Sequence, residues 1–207
     1  MKKLISVLVF IQSVILCYSA IIRVPQDFST IQSGIDQAVN GDVVLVSPGI
    51  YQEAFSFNGK AITLSSLFHT EEDTSYISST ILEPVAQADY VLILNSNESR
   101  SSVLKGFTIR NNQNTISEDG GAIRIYDSSP TITDCIFRDN QAVFQGGALF
   151  IENSSGLVTN CLFLNVSFKL SLKGIFSSGI KLSSVWYLSP SLIKKSGISI
   201  VAINGIV

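Results

Sequence analysis

The chain has 207 residues and a formal charge of −2, a figure that says little until it is split along the length. Residues 21 to 166 hold all 16 acidic residues against seven basic ones, a net of −9, whereas Ser167 to Val207 carries five lysines and no acid. An acidic body is a poor electrostatic partner for nucleic acid or anionic lipid, so neither is expected to bind.

Met1-Lys2-Lys3 opens the chain with positive charge, and Leu4 to Leu16 is an apolar run interrupted by Ser6, Gln12 and Ser13. Cys17-Tyr18-Ser19-Ala20 then supplies small residues for cleavage, the pattern of a secretory signal peptide over residues 1–20. The run falls short of the roughly 20 residues that span a bilayer, so no membrane span is expected in the mature chain. Export permits disulfides, but only Cys135 and Cys161 remain after the leader, too few for a disulfide framework. The fold must be held by burial and backbone hydrogen bonds.

Next comes a helical pattern. Ser29 is a candidate N-cap, and Ile31, Ile35, Ala38 and Val39 share one face of a helix within about 29–39, closed by Asn40-Gly41. Short branched runs follow at Val43–Val46, Ala61–Leu64, Thr80–Leu82 and Tyr90–Leu94, and no helical period of useful length appears among them.

The repeat begins in earnest at residue 120. Gly120-Gly121-Ala122-Ile123-Arg124-Ile125 returns 26 residues later as Gly146-Gly147-Ala148-Leu149-Phe150-Ile151, and nine of 21 positions are identical between 120–140 and 146–166. A weaker copy lies upstream, with Arg110-Asn111 matching Arg138-Asp139 and Val103-Leu104 matching Thr131-Ile132. Units of this size, built from short strands and Asp/Asn/Ser/Gly turns, are coils of a solenoid stacked about 4.8 Å apart. The expected fold is all-β, a right-handed parallel β-helix over 21–166 with a short N-terminal capping α-helix and clear repeats at 120–145 and 146–166. Stacking would place Cys135 over Cys161, Phe137 over Phe163 and Ile125 over Ile151, and the helix would cover the first coil's open core.

Val24-Pro25, Phe28-Ser29-Thr30-Ile31-Gln32, Gly41-Asp42 and Pro48-Gly49-Ile50-Tyr51-Gln52-Glu53 together resemble the opening of the pectin-lyase-like β-helix superfamily, pectinesterases included. The Gly-Gly-Ala-Ile segments and Phe137-Arg138-Asp139-Asn140 resemble the GGAI and FxxN repeats of chlamydial polymorphic outer-membrane proteins, although Val166 stands where the last copy should have Asn. The resemblance implies the fold and leaves the chemistry open, since lyases, hydrolases, esterases and non-catalytic proteins share it.

No catalytic, cofactor or metal constellation is found. A pectinesterase-like site needs two aspartates with glutamines and an arginine on one face, and no matching downstream motif is present. An inverting hydrolase needs paired acids about 6.5–9.5 Å apart, and that family's signature motifs are missing. The remaining candidates for a calcium or acid/base cluster are Asp127, Asp134 and Asp139, which face Asn153, Asn160 and Asn165 one coil on. Replacement of each acid by its amide conserves turn geometry and discards charge, which favours a turn role. His69, beside Glu71-Glu72-Asp73 in an expected loop, has no second histidine or cysteine with which to share a metal. Cys135 and Cys161 read as an interior ladder, with a disulfide geometrically allowed. The paired glycines lack a phosphate-loop context. Asn97, Asn153 and Asn165 head glycosylation sequons.

Beyond Val166 the composition turns to Ser, Leu, Ile and Lys, so residues 167–207 read as an atypical tail, the product of a shifted frame or a truncated gene. The leading expectation is a secreted or cell-surface, non-catalytic β-helix that binds polysaccharide or a surface protein. A carbohydrate-active enzyme of pectinesterase or pectate-lyase type is the alternative, and a truncated product without function is the third.

Overall fold

The structure, a computed structural model, describes residues 19–85, 88, 90–111, 113–114, 121–142 and 147–166, with the backbone of four short strands beyond. The expected leader therefore lies outside the described residues except for Ser19 and Ala20. So do Gly120 and Gly146 of the repeat and most of the tail.

Three parallel sheets run the length of the molecule. The first contains Ile21–Val24, Val43–Val46, Thr63–Ser66, Val103–Lys105, Thr131–Thr133, Leu157–Thr159 and Lys181–Ser183, in that spatial order. The second stacks Gly49–Gln52, Thr80–Glu83, Thr108–Arg110, Ile136–Arg138, Leu162–Leu164 and Trp186–Leu188, with Val201–Ala202 antiparallel at its end. The third stacks Phe55–Ser56, Leu92–Leu94, Ile123–Tyr126, Leu149–Glu152 and Leu172–Lys173. From Val43 to Lys173 each coil contributes one strand to each sheet, the arrangement of a right-handed parallel β-helix. Pairing extends past Val166, because Leu172–Lys173, Lys181–Ser183 and Trp186–Leu188 continue the three ladders where the sequence repeat gives out.

The register follows from alternation, since a one-residue slip would turn every inward side chain to solvent. Ile22, Val44, Leu64, Leu104, Ile132 and Val158 form one buried interior ladder. Leu82, Ile109, Phe137 and Phe163 form another. The Phe137 and Phe163 rings lie 4.7 Å apart and 5° from parallel, a stack that the coil spacing imposes. Each such side chain contributes about 1.5–3 kcal/mol by burial.

A helix, α1 (Ile31–Gln37), closes the first coil. Its N-cap is Thr30 and not Ser29: Thr30 is extended, its Oγ1 accepts from the Ser33 amide at 3.1 Å, and Ser33 Oγ accepts back from the Thr30 amide. The helix also stops two residues early, at Gln37, because Ala38 leaves helical geometry at ψ 147. The Glu53 carboxylate takes the Ile31 and Gln32 amides, and Lys60 Nζ donates to the Ile35 and Asp36 carbonyls, so the first coil supplies charge to both ends of the helix. Ile31 and Ile35 are fully buried on the core, and a Cβ at Gly34 would come within 3.0 Å of Val24. Two one-turn helices not expected from the sequence, Phe68–Glu71 and Ser75–Ser79, form an excursion between the first and second sheets of the second coil.

Candidate functional site

The three candidate acids do not meet. Asp127 ends a third-sheet strand, Asp134 lies between the first and second sheets, and Asp139 follows the second sheet, so they occupy three different corners of one coil. All three have left-handed backbones, with φ of 47°, 55° and 56°, and Asn153, Asn160 and Asn165 repeat this at 49°, 52° and 47°. Asp and Asn tolerate that region better than other side chains, which accounts for their alternation. Asn160 Nδ2 donates to Asp134 at 3.3 Å and Asn165 Nδ2 to Asp139 at 2.7 Å. Among the described residues no group of three or more acids, histidines or cysteines is placed to hold a metal ion.

His69 lies in the one-turn helix Phe68–Glu71, a correction to its expected loop. Its pKa is lowered, first by burial and then by the neighbouring Lys105 charge, whose ammonium sits 5.2 Å over the Phe68 ring. Cys135 and Cys161 are free and buried, and their thiols donate to the Thr133 and Thr159 carbonyls, each at 3.2 Å. Burial, reinforced by Cys135, raises the Cys161 thiol pKa well above its ordinary value. Gly121 serves a strand corner and not a phosphate: its φ is +98°, and a Cβ there would lie 2.7 Å from the Phe150 amide nitrogen. Asn97 and Asn153 are exposed in turns, whereas Asn165 is half-buried.

The FxxN segment also has a physical basis. Phe137 points inward, and Asn140, fully buried two residues past the strand, donates from Nδ2 to the Ile109 carbonyl of the preceding coil at 2.9 Å. Val166 takes the corresponding buried place one coil on and packs into the apolar core.

The outer face of the second sheet carries a row that the sequence did not disclose. Gln52 pairs with Glu83, and Arg110 pairs with Arg138, in register. Glu83 and Arg110 join the two halves through a 2.7 Å ion pair. The Glu83 carboxylate also accepts from Asn111 Nδ2 at 2.9 Å and Gln52 Nε2 at 3.2 Å. Burial pushes its pKa up, but the hydrogen bonds from Arg110, Gln52 and Asn111 and the Arg110 charge outweigh this and leave it below the ordinary value. Arg138 differs from Arg110: Asp139 Oδ2 is 3.6 Å from its Nε, beyond hydrogen-bond range, and its side chain is 43% exposed. A parallel outward row, with Ile50 58% exposed and Ile81, Ile136 and Leu162 half-buried, lies beside the polar one. Thr108 interrupts the apolar row between Ile81 and Ile136: it is buried, and its hydroxyl donates to the Ile77 carbonyl of Ser75–Ser79, which packs on this face. A signal existed in the Arg110-Asn111 and Arg138-Asp139 match, but the Glu83 position was hidden by unequal coil lengths.

A family model described as a right-handed β-helix region matches residues 68–200, and the chain belongs to that family. No curated protein matches it in sequence. Among solved structures it is similar to the pectin methylesterase PemA from Erwinia chrysanthemi, with 12% identity, a TM-score of 0.45 and 70% of this chain covered. The chain spans 55% of the length of that enzyme. It is similar also to a pectin methylesterase in complex with a hexasaccharide, with 12% identity, a TM-score of 0.40, and 81% of this chain and 70% of that one covered.

Proposed function

We propose that this chain is an exported, non-catalytic β-helix module that holds a polysaccharide on the outer face of its second sheet. The observation that carries this reading is the mixed outer face of that sheet, a polar row (Gln52, Glu83, Arg110, Arg138) beside the apolar Ile50 and Ile81 on one side of the covered Thr108 and Ile136 and Leu162 on the other. Sugars present the same combination, ring faces of C–H groups edged by hydroxyls, so one row offers contact area and the other hydrogen bonds. Hydrolytic or lyase chemistry asks instead for two carboxylates, or a carboxylate and a base, aimed at one bond. Here Glu83 is committed to Arg110, Gln52 and Asn111, and Asp134 and Asp139 accept from turn amides. The test is to incubate the chain with neutral and acidic polysaccharides and to follow both retention on the immobilised protein and the products in solution. Retention with unchanged polymer length and ester content is expected; release of shortened, unsaturated or de-esterified products refutes the reading.

A further inference from the structure

We propose that the leader is cut between Ser19 and Ala20 and that the α-ammonium so released on Ala20 is bound by the buried carboxylate of Asp42, an inference that rests on the exported reading above. Asp42 is 6% exposed, and each of its oxygens is aimed at a backbone nitrogen: Oδ1 accepts from Ala20 at 2.8 Å and Oδ2 from Val39 at 2.9 Å. Among the described residues no cationic side chain is paired with it. Lys60, the cation that the same coil brings to this end of the cap helix, is taken by the Ile35 and Asp36 carbonyls. A carboxylate removed from water without a cation is costly. An ammonium in place of the Ala20 amide neutralises it across a contact that the fold already makes.

Structure and sequence place the cut at the same bond. The hydrogen bonds of the solenoid begin at Ala20, whose carbonyl accepts from the Val43 amide at 2.9 Å before Ile21 opens the first strand in register with Val43. Ser19 is exposed and makes no hydrogen bond with a described residue. Loss of Ala20 would leave one Asp42 oxygen without its donor and the Val43 N–H without its acceptor. In the sequence, a cut after Ser19 has Cys17 and Ser19 at the third and first positions before the bond, both small. A cut after Ala20 puts the bulky Tyr18 at the third position and breaks that pattern. The step is a hydrolysis by a leader peptidase. The Ser19–Ala20 C–N bond breaks, the water oxygen stays on Ser19 in a carboxylate, and both water protons end on the Ala20 nitrogen, an ammonium at neutral pH. Because the second Asp42 oxygen holds Val39, just past the cap helix Ile31–Gln37, the ion pair ties the new terminus to the cap.

The first experiment produces the full chain, leader included, in an exporting bacterial host and reads the product by intact mass and N-terminal sequencing. Ala20 is expected as the first residue. Ile21, or any other first residue, overturns the junction while leaving export in place, and a product that keeps the leader overturns both. The second experiment compares the chain that begins at Ala20 with the same chain acetylated on its terminal nitrogen, in wild type and in Asp42→Asn. Acetylation keeps one N–H and removes the charge, so exchange of the Val39 and Val43 amides is expected to speed up at least about tenfold in wild type and to change little in Asp42→Asn. Exchange unaltered by acetylation in wild type overturns the ion pair, whether or not the Asp42→Asn chain folds. An equal acceleration in both backgrounds overturns Asp42 as its partner.

Discussion

Glu98 gives the sharpest test of how the coils are held in register. Its side chain is 1% exposed, and its carboxylate accepts from the Gly59 amide at 2.9 Å, the Ser96 amide at 2.8 Å and the Ser128 hydroxyl at 2.8 Å. These donors come from three successive coils, so the carboxylate staples the corner between the third and first sheets. No cation pairs with it among the described residues, which makes the sign of its contribution a real question: an isolated buried carboxylate is costly unless its hydrogen bonds offset the lost hydration. Glu98→Gln keeps the shape and removes the charge. The amide oxygen would stay at the Oε2 position, where it accepts twice, and the NH2 group would then oppose the Gly59 N–H. One hydrogen bond to a charged acceptor is lost, about 1.5–3 kcal/mol, and a buried donor is left unmatched, about 1–3 kcal/mol. We expect a net loss of roughly 3 kcal/mol. Denaturant unfolding followed by circular dichroism measures it, and because solenoids can unfold in parts, amide hydrogen exchange at Gly59 and Ser96 should lose protection before the distal coils do. A Glu98→Gln chain as stable as wild type, or more so, would refute the staple and show that desolvation of the carboxylate dominates.

Two further outcomes follow from groups on the sheets. The Glu83 carboxyl, held below its ordinary pKa in the folded chain, contributes stability that is present above the unfolded value and is lost as pH falls through the folded value. NMR titration of Glu83 should place it below a free glutamate, and Arg110→Gln should raise it; a midpoint at or above the free value in wild type contradicts the row as described. The thiols of Cys135 and Cys161, buried and with Cys161 raised well above its ordinary pKa, should react with a disulfide reagent only after denaturant is added. Rapid reaction of either in the native chain would mean that the interior opens at that coil.

What the sequence disclosed depended on an unbroken period. Phe137 over Phe163, Ile125 over Ile151 and Thr131 over Val103 were legible because these copies differ by 26 or 28 residues with similar turns. The Gln52–Glu83–Arg110 relation was not, since those steps are 31 and 27 residues and the excursion that carries Phe68–Glu71 and Ser75–Ser79 sits inside one of them. The role of Glu98, which follows the sequon asparagine Asn97, was not legible, because nothing local marks a carboxylate whose donors lie 39 residues before it and 30 after. The Ser-Ser identity was visible as turn composition, but its use was not: Ser128 reaches Glu98, and Ser129 shares a 2.8 Å hydroxyl contact with Ser155 of the next coil.

The alternation of acid and amide at the turns links stability to the proposed binding face. Two carboxylates stacked at the coil spacing of about 4.8 Å would repel, whereas an amide above a carboxylate converts the same contact into a hydrogen bond. Asn160 over Asp134 and Asn165 over Asp139 are these contacts, at 3.3 Å and 2.7 Å. One oxygen of Asp139 is thereby committed along the helix axis toward Asn165, and the other stands 3.6 Å from Arg138. The turn ladder and the arginine row draw on the same carboxylate, and the ladder has the shorter contact. An aspartate placed at 165 would set two carboxylates together and weaken the stack. The observed choice of side chains meets the demand of the stack first, and the ion pair to Arg138 is the longer contact of the two.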